Sequence, residues 1–401
     1  MQTFLGYPRP DGSAGIRNWV LILPAQREVN LIASEIAKHV GGTKVVLTTG
    51  EGGRPKHDRE TIARTLVGLG LNSNTASVLI VGGKAGAGYP EVREAVLAEK
   101  IGMSGKPVRV ITMSECGGYY ATLAEGIRLA RELVVEASKV RREPCDVSKL
   151  CVGVKCGMSD PTSGIAGNPV VGKMFDRLVN AGGTAFFSET TELIGAEHLV
   201  AKRGRTPEVG KAILKAVEII EEKAKATGED IRSINPIPAN IAAGLTSLEE
   251  KSLGAIAKSG SSPIEGVVDY AERPAGHGLY FVDAWMSSLS LPLAYAACGA
   301  HLVIYQMGGE DMPGPYPAMP AVSSGIVSPL MYATGNPRTY EKAQDSIDFN
   351  SGTVLEGKET VEQAADRLWE HIIGLAEGSV TKMEVFNHID PVEILLEGPS
   401  L

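Results

Sequence analysis

The sequence predicts an α/β fold of two domains, each with a mostly parallel sheet flanked by helices. Three observations carry this. The chain has 401 residues, more than one ordinary core holds. Short apolar runs alternate with amphipathic stretches along it. Those runs are unbroken rather than alternating, as strands buried on both faces require.

The elements follow in order. "WVLILP" (19–24) precedes a helical segment near 27–40, and "KVVLTT" (44–49) precedes one near 58–69. "SVLIVGG" (77–83) precedes one near 90–99, and "VRVITM" (108–113) a long one near 119–141. This is a doubly wound domain over 1–148, closed by the polar, Pro144-bearing "RREPCDVSKL". The second domain, 149–401, resumes with "LCVGVKC" (150–156) and a helix from about 169. "TAFFSE" (184–189) leads to helical segments at 190–203 and 207–226. "TSLEEKSLGAIAK" (246–258) opens with Thr246 and Glu249 at capping-box spacing. "GLYFVD" (278–283) and "HLVIYQM" (301–307) are further strands, and 359–377 is a final amphipathic helix. The Pro-, Gly- and Met-rich stretch 308–337 has no period, which marks it as functional, mobile or buried against another chain.

Composition narrows the class. With 39 basic and 47 acidic residues the net charge is −8, which argues against nucleic acid or an anionic membrane as partner. The five cysteines lack paired spacing, so they read as reduced thiols in the cytoplasm. "MQTFLGYPRPDG" has no secretory pattern, and no apolar run reaches the ~18 residues of a membrane span. "GGKAGAG" lacks dinucleotide-site spacing and "GEGGRPKH" lacks a P-loop ending, so no nucleotide cofactor is expected.

Ligands of open α/β sheets bind beyond the carboxyl ends of the strands. Those ends carry Cys156, Ser159 and Asp160; then Ser188, Glu189, Glu192 and Glu197-His198; then Asp283; then Glu310 and Asp311. Oxygen and thiol donors of this kind suit Fe²⁺, Mn²⁺ or Mg²⁺. In "KCGMSDPTSGIAGNP" (155–169), Asn168 is placed to cap a helix beginning at Pro169, whose free N–H groups would receive a carboxylate. A solvent-facing turn is the plain alternative. Lys155 stands in an apolar strand end. Lys251, beside Glu250, reads either as helix decoration or as a base. His198 and His277 are more often structural than catalytic. Arg17 and Asn18 precede the first strand in "GYPRPDGSAGIRN", where an Asp-Gly turn is the plain reading.

The ordered motifs "GYPRPDGSAGIRN", "VGVKCGMSDPTSGIAGNPVVGKMFDRL", "SETTELIGAEHL", "NPIPANIAAGLTSLEEKSLGAIAKSG" and "IDFNSG" resemble the altronate/galactarate dehydratase family over about residues 4–385. The large subunit of (2R)-sulfolactate sulfo-lyase is similar in places. The resemblance implies an iron-dependent lyase that takes the α-proton of a small hydroxy acid, expels a β-group and yields a 2-keto acid. A hydro-lyase acting on a sugar acid or related 2,3-dihydroxy acid is the first expectation, with sulfite release as the alternative. An oxidoreductase and a non-catalytic homologue are the competing classes. The strand-end reading and the resemblance together point to Lys251, Lys155, Glu250 and His198 as proton-handling or charge-stabilising groups. Ser159, Thr162, Ser163, Asn168, Arg17 and Asn18 would hold substrate, and Asp160, Glu189, Glu192, Asp283 and Cys156 the metal. The turns after the second and third strands carry no cysteine, unlike many sugar-acid dehydratases. The small domain that fused members carry before "GYPRPDG" is also missing, so a separate small subunit is expected, with homo-oligomerisation as the general prior.

Overall fold

The computed structural model describes residues 2–49, 53–309, 323–386 and 389–399; Glu310 and Asp311 lie outside them. Its strands are β1 (Thr3–Pro8), β2 (Ala14–Gly15), β3 (Trp19–Pro24), β4 (Thr43–Val45), β5 (Thr75–Gly82), β6 (Val108–Thr112) and β7 (Glu143–Asp146). There follow β8 (Cys151–Gly157), β9 (Thr184–Phe187), β10 (Ile264–Asp269), β11 (Gly278–Asp283), β12 (Leu302–Met307), β13 (Leu330–Thr334) and β14 (Phe349–Asn350). The α/β reading holds. One parallel sheet has the order β4-β3-β5-β6 and a larger parallel one β10-β11-β9-β8-β12-β13-β14. An antiparallel β2-β1-β7 ribbon, not anticipated, completes the described sheets.

In the larger sheet the winding reverses at the centre: β9 joins one side of β8, and β12 the other. Such a reversal parts the connections above the strand ends and leaves a crevice. Successive side chains of β9 point to opposite faces, Phe186 into one core and Phe187 into another. The core on the Phe187 face is closed by the helices Asn168–Asn180 and Val361–Ala376. The Phe186 face continues into the side chains of β3 and β5, so the two parallel sheets share a core.

That junction is tight. Helix Lys56–Leu71 packs on the wholly buried helix Ser290–Cys298. A Cβ at Gly68 would fall 2.5 Å from the Ala297 carbonyl oxygen, so only glycine permits the approach. Beside it, Asn74 Nδ2 donates to the carbonyls of His301 (2.8 Å) and Val327 (2.9 Å), while Oδ1 accepts from Ile16 N and Arg17 N. His301 Nδ1 accepts from Cys151 N at 2.9 Å.

Burial pushes His301 down from 6.5 to about 4. Below pH 6.5 the unfolded chain therefore takes up a proton that the folded chain refuses. Stability is expected to fall as pH drops from 6.5 towards 4, read as the urea midpoint. His301→Gln should flatten that limb; an unchanged slope would remove His301 as its cause.

Several sequence expectations shift here. Arg17, expected at the substrate, is buried against Glu384 (2.7 Å) and the Leu375 and Ser379 carbonyls. Asn18 donates to the Ala137 carbonyl. Both tie the chain start to other elements. The segment expected to be helical over 190–203 is a 3₁₀ turn at Thr190–Glu192 and an α-helix only at Glu197–Ala201, with Gly195 between them at φ +89°. Part of 308–337 is the buried strand β13, and 310–322 lies outside the described residues.

Candidate active site

At the carboxyl ends of β8 and β9, the chain gathers ionisable groups in the interior. Lys155 and Cys156 come from β8. Glu189 follows β9 with φ +76° and ψ +67°, a left-handed conformation that costs a non-glycine residue on the order of 1–2 kcal/mol. The turn Thr190–Glu192 then brings Glu192 alongside. The helix Leu248–Ile256 supplies Lys251, and Lys258 follows two turns later on the same side. That helix is capped by Ser247, whose Oγ accepts from Glu250 N, one residue later than expected. Thr246 instead donates to the Glu250 carboxylate, which fixes Glu250 at the helix mouth.

Lys155, Lys251 and Lys258 are 5% exposed or less, and Glu189, Glu192 and Cys156 no more than 1%. Lysine is almost never this deeply buried unless paired. Lys258 Nζ donates to Glu189 Oε2, to Glu192 Oε2 at 2.9 Å and to Cys156 Sγ at 3.1 Å. Lys155 Nζ donates to Tyr305 OH at 3.2 Å and lies 3.9 Å from Glu189 Oε1. Ser288 Oγ is 2.9 Å from the same phenol. Lys251 Nζ donates to Asn235 Oδ1 at 2.7 Å and lies 3.8 Å from Glu192 Oε1. Glu189 Oε2 also accepts from Cys156 N at 2.8 Å.

The electrostatics differ from group to group. Burial, then Glu192, pushes Glu189 above the usual carboxylate range, and Lys258 and Lys155 offset this only in part. Burial acts the same way on Glu192, but Lys258 and Lys251 outweigh it and hold it at about 2. Burial opposes the charge of Lys155, yet Tyr305 and Glu189 keep it above the usual lysine value. Burial lifts the Cys156 thiol to about 12, so it is protonated at neutral pH. Three ammoniums against two carboxylates leave one positive charge in excess.

Beside the cluster opens a cavity of about 310 Å³ lined by Ser159, Asp160, Ser163, Asn168, Glu250 and Lys251, among others. Asn168 joins the two: its Oδ1 accepts from Cys156 Sγ at 3.4 Å and its Nδ2 donates to the Gly254 carbonyl. It does not cap a helix with its side chain. A π-type turn, Ser163–Gly167, runs straight into the helix at Asn168, and Asn168 N donates to the Ser163 carbonyl. The expected open helix terminus is therefore occupied by its own chain. A cleft of about 920 Å³ lies at the ends of β3, β5 and β6, but its charged lining residues, Glu28 and Lys84, are both exposed. The buried cluster reaches the smaller cavity through Lys251, which lines it.

Of the remaining sequence candidates, Asp160 lines that cavity without joining the cluster, and the others fall elsewhere. Asp160 accepts from Thr162 Oγ1, Ser163 N and Asn336 Nδ2, which ties a loop with Asp160 and Thr162 as partners. Asp283 accepts from Thr190 Oγ1 and lines a separate cleft with His57 and Arg64. His198 is exposed on another depression with Lys202 and Arg205. Sequence reasoning missed Lys258, Tyr305, Ser288 and Asn235. Only Lys258 carried a signal, its seven-residue spacing from Lys251.

Cys156, Glu189 and Glu192 offer donor atoms within 4.8 Å of one another, a set able to hold a metal ion. Among the described residues Glu189 Oε1 and Glu192 Oε1 accept no hydrogen bond and lie 3.9 and 3.8 Å from the Lys155 and Lys251 ammoniums. One thiol and two carboxylates fit a divalent transition ion.

The D-galactarate/altronate dehydratase C-terminal family matches residues 147–396, and the second domain of D-galactarate dehydratase/altronate hydrolase matches residues 6–138. The chain is 35% identical to the (2R)-sulfolactate sulfo-lyase subunit beta of Chromohalobacter salexigens, over 96% of each chain. It is 30% identical to the altronate dehydratase of Escherichia coli K12, over 94% of this chain and 74% of that one. Against the galactarate dehydratase (L-threo-forming) of the same bacterium it is 33% identical, over 65% of this chain and 48% of that one. The chain belongs to the D-galactarate/altronate dehydratase family, a family of lyases.

Proposed function

We propose that the chain is the large subunit of a lyase that forms a 2-keto acid from a small anionic hydroxy acid, with its chemistry at the Lys155–Glu189–Glu192–Lys251–Lys258 cluster. The carrying observation is the buried excess of positive charge beside a cavity of substrate size. Lys155 and Lys251 would receive the substrate carboxylate. Glu189, with its raised affinity for protons and an oxygen that accepts no hydrogen bond, would take the α-proton. The enediolate that results carries its new charge on oxygens facing fixed ammoniums, which need not reorganise. Lys251, on the cavity wall, would protonate a departing hydroxide, and the enol then tautomerises. A divalent ion, Fe²⁺ first, held by Cys156, Glu189 and Glu192 would add Lewis-acid stabilisation of that charge. Ser159, Ser163 and Asn168 would face the rest of the substrate.

A sugar acid or related 2,3-dihydroxy acid is the first substrate class. Release of sulfite from (2R)-sulfolactate is the second reading, favoured by the match to a sulfo-lyase subunit over 96% of both chains. That relative's name, subunit beta, also supports a separate small partner chain. The test is an anaerobic endpoint assay with Fe²⁺, sugar acids and sulfolactate, with and without a candidate small subunit. Keto acid alone means a dehydratase; equimolar keto acid and sulfite means the sulfo-lyase. Neither product with the partner present would sink the lyase reading.

A further inference from the structure

We propose that the Lys258 ammonium and a divalent metal ion are alternative occupants of one site, formed by Cys156 Sγ and the carboxylates of Glu189 and Glu192. The ammonium sits among all three donors, 2.9 Å from Glu192 Oε2 and 3.1 Å from the sulfur. An ion bound to the same atoms stands about 2.0–2.3 Å from each, inside the volume the ammonium fills. The two cannot share it.

Charge leads to the same exclusion. With Lys258 in place the cluster already has one positive charge in excess, and a dication bound through the Cys156 thiolate, its thiol proton released to solvent, would raise that to two. If Lys258 left with nothing in exchange, two buried carboxylates would lose their shortest ion pairs. A metal ion restores that charge, so departure of the lysine and arrival of the ion are one exchange. The outer oxygens Glu189 Oε1 and Glu192 Oε1, 3.9 and 3.8 Å from Lys155 and Lys251, keep both carboxylates oriented through it. Lys258 is tethered and metal is not, so the wild-type chain binds metal more weakly than its donors alone would. The proposal deepens the reading of this cluster as the reactive centre, but its test needs no substrate, so its failure would leave the lyase reading standing.

The probe is Co²⁺ under anaerobic conditions, read by the near-ultraviolet thiolate-to-cobalt band and by thermal unfolding. Lys258→Met and Lys258→Gln are expected to bind Co²⁺ at least about tenfold more tightly than wild type, ~1.4 kcal/mol. The band should vanish when Cys156→Ser is added. Variants that fold only when Co²⁺ is supplied would support the exchange equally, since the ion then replaces the missing charge. Equal affinity in wild type and both variants would overturn it. So would a band that survives Cys156→Ser, or variants that Co²⁺ cannot restore.

Discussion

Glu189→Gln is expected to lower kcat by ~10²–10⁴ while leaving the chain folded, the range for loss of a positioned base. Glutamine keeps an oxygen that can accept from Cys156 N and a similar volume, so the left-handed turn after β9 keeps its packing. Glu192→Gln is the comparison, at a residue read as a metal ligand and not as the base. Lys258 and Lys251 hold Glu192 ionised, so its loss should lower stability and metal affinity together, with turnover recovering in part at high metal concentration. The measurement is kcat and the urea midpoint for both variants on whichever substrate the endpoint assay identifies. Glu189→Gln retaining more than about a tenth of wild-type kcat would exclude Glu189 as the base.

Asn74→Ala is expected to produce the largest loss of stability away from the site, on the order of 4 kcal/mol. The change removes four buried hydrogen bonds and leaves two carbonyls and two N–H groups without partners, each costing roughly 1–3 kcal/mol. It should appear as a lower urea midpoint at constant slope. Asn74→Asp keeps the acceptor but sets a buried carboxylate oxygen against the His301 and Val327 carbonyls, so it should cost at least as much. A loss below about 1 kcal/mol for Asn74→Ala would mean that water or local movement satisfies those groups.

The sequence was readable where one strand's own composition decides its fate. β3, β5 and β11 are unbroken apolar runs because helices cover both faces, and the periodicity says so without knowledge of neighbours. β1 and β7 were not readable. They contain glycine or proline, and they form strand only because Gly6 meets Glu143 and Phe4 meets Cys145 from either side of the whole β3–β6 unit.

The site divides in the same way. Lys155, Cys156, Glu189 and Glu192 stand at strand ends, where the fold predicts ligands, and the structure brings them together. Asp160 stands at such an end too, yet its carboxylate is used up by Thr162, Ser163 and Asn336, the last distant in sequence. No local pattern separates a loop tie from a ligand. Lys258 near a helix carboxyl end looks like ordinary dipole decoration. Only the position of β9 makes it the cation at the centre of the cluster.

The partners of the first strand and of Arg17 have a consequence for the order of events on the ribosome. β1 waits for β7, and Arg17 waits 367 residues for Glu384. At synthesis rates of about 5–20 residues per second, that second wait lasts roughly 20–70 s. Throughout it, an arginine destined for burial must stay hydrated. The amino-terminal portion therefore emerges early and is finished late, sealed by residues made near the end of the chain.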